Sequence, residues 1–375
     1  MYDSVPARVV IEATTVSGQT ILFAESFPTS HEEHGPSHHV FVRIESAEAT
    51  GYGEGTALQW FTGETAATME RVAREELCPR IEGLSTTAAL AEFRGLTGRL
   101  PGHPGAKVAV EAALLDLRAR ELGVPLHALL GDQRRTELPC ASAVGALSPE
   151  TVAERVAAGY ERGYRTFKIK ADGDVARDTE RIEAVTGTLR QRASPAEVHL
   201  RVDANTGWES VERTTRVIDE LTHPEYLEYL EQPVAPEAVG DLRSLRTTHG
   251  VPVFADEAAG SLADVRRLTN GQAAVSGFCG KLAKTGSVRE LVTMARVGAA
   301  AGLPVTLVTA FGTSLAVALN CHLGAVVPEL SSATELVGDL LAEDPVDAPL
   351  PTAPTLRVPD GPGVGVRPDP TVFDE

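Results

Sequence analysis

The sequence predicts a mixed α/β protein, a closed parallel β/α barrel of the TIM type preceded by an α+β unit. Three observations carry this expectation. From residue 140 onward, short apolar stretches alternate with amphipathic ones over roughly 200 residues, the pattern of a closed parallel sheet wrapped by helices. Before residue 130 the order is different, with alternating strands first and helices after them. Lysines and carboxylates also recur at the ends of successive predicted strands, spaced by about one β-α unit.

Composition sets the outer limits. The chain has 375 residues, long enough for two domains, and 43% of them are hydrophobic, ample for a buried core. Its net charge of −18 disfavours nucleic acid and anionic membrane as partners. Cys78, Cys140, Cys279 and Cys321 form no Cys-x-x-Cys pair, so neither a disulfide framework nor a zinc knuckle is expected. Residues 297–328 carry no Asp, Glu, Lys or Arg, yet Gly302, Pro304, Gly312, Asn320 and His322 interrupt them. They read as a buried strand, 305–309, and a packed helix, 313–323, rather than a membrane span. With no basic and apolar leader at the N-terminus, the expectation is a soluble, cytoplasmic protein.

Residues 8–25 and 39–46 alternate as antiparallel strands do, with Val40, Val42 and Ile44 on one face. The polar stretch 27–38 between them holds His31, His34 and His38, with His39 adjoining. No fixed ligand spacing supports a metal site there, and the stretch reads as a loop. Gly51-Tyr-Gly-Glu-Gly reads as a glycine-rich turn leading into 56–61, and not as a dinucleotide fingerprint, because no buried strand precedes it. Helices are expected at 63–76, 84–97 and 104–122, the last with Val110, Leu114, Leu117 and Leu122 along one side. Expected barrel strands are 140–145, 166–170, 198–203, 227–231, 252–256, 275–281, 305–309 and 332–336, with helices such as 149–162, 174–190 and 209–222 between them. A doubly wound open sheet is the rival, and it lacks a phosphate-cradling glycine turn. The domains are thus 1–130 for the α+β unit and 138–350 for the barrel, with the tail 351–375 returning to cover the α+β unit.

In the predicted strand Thr166–Lys170, alternation sends Lys168 and Lys170 to the same face. Adjacent ammonium groups repel, which makes each easier to deprotonate. Asp203, Glu231, Asp256 and Lys281 then follow at steps of 33, 28, 25 and 25 residues. Each can stand at the C-terminal end of its own strand. Three carboxylates converging at one barrel mouth need a cation between them, and hard oxygen ligands suit Mg²⁺, or Mn²⁺ in its place, better than zinc. Lys170 and Lys281, from the second and sixth strands, would approach that cation from opposite sides. Lysine ordinarily titrates near 10.4; a neighbouring Lys168 and a divalent cation would depress Lys170 towards the range of a useful base.

Lys168-Ile-Lys170, Asp203-Ala-Asn205, Glu231-Gln-Pro233, Asp256-Glu257 and Lys281-Leu-Ala-Lys-Thr-Gly286 together resemble the enolase superfamily, and within it the muconate-lactonizing subgroup. The stretches 106–131 and 361–366 resemble that family's helix before the barrel and its ending. The resemblance implies a capping domain over a (β/α)7β barrel, one Mg²⁺, and proton abstraction next to a carboxylate through a metal-stabilised enediolate. By position it implies Asp203, Glu231 and Asp256 as metal ligands and Lys170 with Lys281 as the acid/base pair. Lys168 would tune Lys170, and Asn205 would face the ligands or substrate. Glu257 should point away by alternation, and Lys284 should begin the following loop. Family members often carry a glutamate after the seventh strand, where this chain has Gly312.

The implied partner is a small carboxylate-bearing substrate, with Trp60 and Phe61 as apolar lid surface over it, and the implied assembly a homo-oligomer. Dipeptide epimerases of the subgroup tend to carry Asp-x-Asp after the eighth strand to hold an ammonium. Here Ala333-Thr334-Glu335-Leu336-Val337-Gly338 resembles the cycloisomerases instead, although Glu335 or Asp339 could still pair with an amine. The expected reaction is a muconate-type cycloisomerisation. Epimerisation of dipeptides, racemisation of N-acylamino acids and an o-succinylbenzoate synthase-like dehydration are the alternatives, ahead of a non-catalytic metal-dependent barrel.

Overall fold

A computed structural model describes residues 9–31, 35–338 and 340–374. The first sheet is antiparallel, in the order β1 (Ile11–Ile21), β2 (Ser37–Ser46), β3 (Thr50–Thr56). The short helix α1 (Gln59–Thr62) and α2 (Ala66–Arg71) follow, the latter running on into a wider π turn at Val72–Leu77. Next come α3 (Thr86–Thr97) and α4 (Pro104–Glu121).

The glycine-rich stretch is therefore a strand and not the expected turn. Gly51, Gly53 and Gly55 all face α4, and a Cβ on each would overlap the carbonyl oxygens of Ala113, Ala109 and Gly105. Their absence of side chains lets the helix lie directly on the sheet, the usual meaning of glycine inside a strand. Gly53→Ala should accordingly cost about 1–3 kcal/mol through overpacking and lower the melting temperature, with α-helical content retained. Circular dichroism melting would check this, and an unchanged midpoint would contradict the close approach.

Helix α4 serves two cores. Val110, Ala113, Leu114 and Leu117 pack with the cap sheet, while Val108, Ala112, Leu115 and Ala119 join the barrel core. Leu122, expected on the buried side, lies just past the last turn and is 48% exposed.

The short β4 (Glu137–Pro139) precedes seven parallel strands: β5 (Ser142–Val144), β6 (Thr166–Lys170), β7 (His199–Asp203), β8 (Leu227–Glu231), β9 (Val253–Ala255), β10 (Gly277–Lys281) and β11 (Val305–Val308). Between them run α5 (Pro149–Glu161), α6 (Val175–Arg190), α7 (Val211–Asp219), α8 (Val239–Thr248), α9 (Leu262–Thr269), and the pair α10 (Leu282–Thr285) and α11 (Val288–Ala300). Each strand neighbours the next in sequence, as crossover helices dictate. After β11 and α12 (Ser314–Val326), the segment 330–335 bridges the two ends of the sheet. Val308 pairs with Glu335, and Cys140 with Thr334. This is the eighth position of a (β/α)7β barrel, made by isolated bridges rather than a full strand. Towards the C-terminus, β12 (Thr355–Arg357) pairs with β4, Val364 N–H donates to Asp116 on α4 at 2.6 Å, and Ser17 on β1 donates to the Val372 carbonyl. Among the described residues no helix is long and apolar enough to cross a membrane.

Candidate active site

The parallel ladder sets the site. Lys170 lies opposite Asp203, Asp203 opposite Glu231, and Glu231 opposite Phe254, so the charged ends of three strands stand at one level. Asp256 follows just beyond β9. Its place is fixed by Gln232, whose side-chain oxygen accepts from the Asp256 and Ala258 N–H groups, both at 3.0 Å. Oxygens of Asp203, Glu231 and Asp256 come within 4.8 Å of one another, and all three residues are fully buried.

Four ammonium groups ring these carboxylates. Lys168 Nζ is 3.1 Å from Asp203, 2.8 Å from Glu231 and 2.7 Å from Glu335. Lys170 Nζ donates to Asp203 at 2.5 Å and to the Asn205 side-chain oxygen at 3.0 Å. On the far side Lys281 pairs with Asp256, and Lys284 reaches Asp256 at 2.7 Å. Lys170 and Lys281 thus flank the carboxylates from opposite strands of the barrel.

Electrostatics follow from this packing. Burial alone would raise Asp203 and Asp256, but Lys168 and Lys170 on one side and Lys281 and Lys284 on the other hold both well below the usual carboxylate range. Glu231 goes the other way, pushed up to about 8 by burial and by the charge on Asp203. The expectation that two neighbouring lysines ease each other's deprotonation fails for Lys168. Burial lowers it, yet Asp203, Glu231 and Glu335 outweigh burial and raise it well above its ordinary value.

The three carboxylates fit a hard divalent cation. Glu231 Oε2, though 2.8 Å from Lys168 Nζ, is buried and accepts no well-aligned hydrogen bond. The donor set is all oxygen, which suits Mg²⁺ or Mn²⁺.

Several residues that sequence reasoning set aside also meet here. Lys284 does not begin a loop; the turn of α10 directly after β10 folds it back onto Asp256. Glu257 does not point away, because β9 ends at Ala255 and strand alternation stops there. Its carboxyl accepts from Asn205 Nδ2 at 3.2 Å and is pushed up to about 7 by burial first, then by Asp256 and Asp203. Arg201, two residues before Asp203 and on the same face, was missed altogether. Fully buried, it pairs with Glu228 at 2.6 Å and Glu335 at 3.4 Å, and lies over the Tyr229 ring. A charged residue at an inward strand position was the available signal. Glu335, considered as a partner for an amine, is instead 2% exposed and already paired with Lys168 and Arg201. Asp339 lies outside the described residues.

Above the carboxylates is a pocket whose walls come from both halves of the chain. Phe27, Leu58, Trp60 and Phe61 descend from the cap; Val308, Phe311 and Val337 rise from the barrel mouth. Lys168, Lys170, Asn205, Lys281 and Glu335 form its floor. The Phe61 ring is 5.9 Å from the ammonium groups of Lys281 and Lys284. The histidines of the 27–39 stretch diverge. His31 stacks near Trp60, His38 contacts Thr20 and His39 contacts Glu54; His34 lies outside the described residues.

The profile of the mandelate racemase / muconate lactonizing enzyme N-terminal domain matches residues 10–131, and that of the enolase C-terminal domain-like family matches residues 151–372. The N-succinyl-L-Arg/Lys racemase of Bacillus cereus (strain ATCC 14579) is 27% identical over 342 residues, which cover 91% of this chain and 90% of the racemase. The crystal structure of N-succinyl Arg/Lys racemase from that strain superposes with a TM-score of 0.89 at 25% identity, covering 97% of each chain. A chloromuconate cycloisomerase of Pseudomonas sp. (strain P51) is 30% identical over 327 residues, 85% of this chain and 84% of that enzyme. The substrate-liganded L-Ala-D/L-Glu epimerase of Bacillus subtilis superposes with a TM-score of 0.86 at 25% identity, covering 95% of this chain and 98% of the epimerase.

Proposed function

Because the chain belongs to the mandelate racemase / muconate lactonizing enzyme family of the enolase superfamily, whose members similar to it are isomerases, we propose that it is a muconate-type cycloisomerase with Lys170 as its acid/base. The observation that carries this reading is the pocket. Among the described residues its walls offer no free carboxylate for a substrate ammonium, since the acid among them, Glu335, is taken by Lys168 and Arg201. Apolar walls suit the second carboxylate of a muconate, which loses its charge as it closes into a lactone.

In this reading Asp203, Glu231 and Asp256 hold one Mg²⁺. When bound, the ion would neutralise charge building on the substrate carboxylate as the α-carbon exchanges its proton. Lys168, fixed by three carboxylates, keeps a positive charge beside that end of the substrate. The second substrate carboxylate adds across the double bond, and Lys170 delivers a proton from Nζ to the carbon next to the first carboxylate. Asn205, anchored by Glu257, accepts from Lys170 at 3.0 Å and holds its ammonium in place. Trp60 and Phe61 exclude water from the exchange.

A second reading, racemisation of an N-acylamino acid, is favoured by one specific feature, the buried Lys281 opposite Lys170. The two part in one experiment. With Mg²⁺ in deuterium oxide, cis,cis-muconate should lose its diene absorbance and give a lactone carrying one deuterium next to its carboxylate. Inversion of N-succinylamino acids with muconate left untouched would replace the first reading by the second. Epimerisation of a dipeptide with a free ammonium would contradict both.

The walls also yield a prediction of their own. Trp60→Ala should raise KM about tenfold or shift substrate preference, with little change in melting temperature, because Trp60 is half-buried at the pocket rim. A fall in stability with unchanged kinetics would make it a packing residue only.

A further inference from the structure

The turn from β11 into α12 is held in a backbone shape that its sequence does not favour. Ala310 and Phe311 have φ angles of 52° and 65°, the left-handed region that a Cβ disfavours. Two such residues in succession persist only where their surroundings over-determine them. Both line the substrate pocket, and the Phe311 ring meets Phe23 and Phe27 edge-on at 5.0 and 5.9 Å.

On the barrel side the turn is tied by Thr309, whose hydroxyl donates to the carbonyls of Glu335 and Val337. On the helix side the tie comes from the cap. Glu54, on β3, accepts from the Thr313 N–H at 3.0 Å, the Thr313 hydroxyl at 2.5 Å and the Ala316 N–H at 3.2 Å. These donors belong to the first turn of α12, where a carboxylate also complements the helix dipole. His39 Nδ1 contacts the same carboxylate at 2.8 Å. Glu54, His39 and Thr313 are all buried. Burial would raise Glu54, but His39 and Thr313 together lower it, so the carboxylate is ionised. Glu54 does not itself line the pocket.

We propose that Glu54 is a positioning residue for the substrate pocket: from the capping sheet it holds the 310–313 turn in its left-handed shape and so fixes where Phe311 stands in the pocket wall. The cap thereby shapes substrate preference through a residue that never touches substrate. The feature that places it is sequence-local on neither side, since Glu54 and Thr313 are far apart in the chain.

The test reads the Phe311 ring directly. The protein has 10 Phe, and 4-fluorophenylalanine labelling gives a fluorine spectrum in which Phe311 is identified by its loss in Phe311→Leu. In Glu54→Gln the Phe311 signal should shift or broaden, with Phe23 and Phe27 following and Phe167 and Phe278 in the barrel core unmoved. Adding Ala310→Gly, which accepts the left-handed backbone without a Cβ, should return the Phe311 signal most of the way. If Glu54→Gln does not fold, Thr313→Val removes one of the same hydrogen bonds and is read in the same way. With cis,cis-muconate as probe, KM should rise about tenfold with kcat changed less, and fall again in the double variant. A Phe311 signal unchanged in Glu54→Gln or Thr313→Val, or one that moves only together with those of the barrel core, overturns the assignment. If the wild-type chain does not turn over cis,cis-muconate, the cycloisomerase reading falls, and the fluorine spectrum still decides the role of Glu54.

Discussion

Lys170→Ala is expected to lower turnover by about 10²–10⁴-fold, the usual cost of leaving a proton transfer without its acid or base. The protein should remain folded, since the Lys170 side chain lines the pocket floor rather than the packed core and Asp203 keeps Lys168 as a partner. Lys281→Ala is the discriminating variant. A cycloisomerase needs one lysine for proton delivery, so it should keep partial turnover and give product of a single handedness. A racemase needs both faces served. Its Lys281→Ala form should still let Lys170 exchange the α-proton of one enantiomer with solvent, while net inversion stops. Proton exchange in deuterium oxide, followed by mass spectrometry and optical rotation, separates these outcomes. Full activity in both single variants would end the acid/base assignment.

The barrel and the charges at its mouth were legible because their causes are local and periodic. Each strand end carries its own residue, and the ladder pairing Lys170 with Asp203 and Asp203 with Glu231 needs only equal strand registers. What the sequence hid depends on where regular structure stops. Glu257 turns towards Asn205 because β9 ends two residues earlier, and Lys284 turns back because a helix starts without a loop. Neither break has a glycine or proline at the junction to announce it. The glycines of β3 misled for the opposite reason. They look like a turn, and only the helix lying on them explains why they form a strand. Arg201 was legible as a charge at an inward strand position, but its role was not, because its partners Glu228 and Glu335 come from separate parts of the chain that meet only in the finished barrel.

Removal of the divalent cation should have an effect as large as loss of Lys170, and it can be read without substrate. Asp203, Glu231 and Asp256 offer three buried carboxylates, with Glu231 pushed up to about 8 and one of its oxygens free of aligned hydrogen bonds. A cation that binds only the folded chain stabilises it by about 2.7 kcal/mol at a hundred times its Kd, so Mg²⁺ added after chelation should raise the melting temperature by a few degrees. Turnover should disappear on exhaustive chelation and return with Mg²⁺ or Mn²⁺. Glu231→Gln keeps the shape of the side chain and removes its charge. It should fold and leave Lys168 paired with Asp203 and Glu335, but it should show no Mg²⁺-dependent shift in melting temperature and very low activity. The loss of the thermal shift matters more than the loss of activity, because a damaged catalytic geometry would abolish turnover and still bind the ion. A chelated protein with full activity would end the metal-site assignment, and a Glu231→Gln variant with an undiminished thermal shift would place the cation elsewhere.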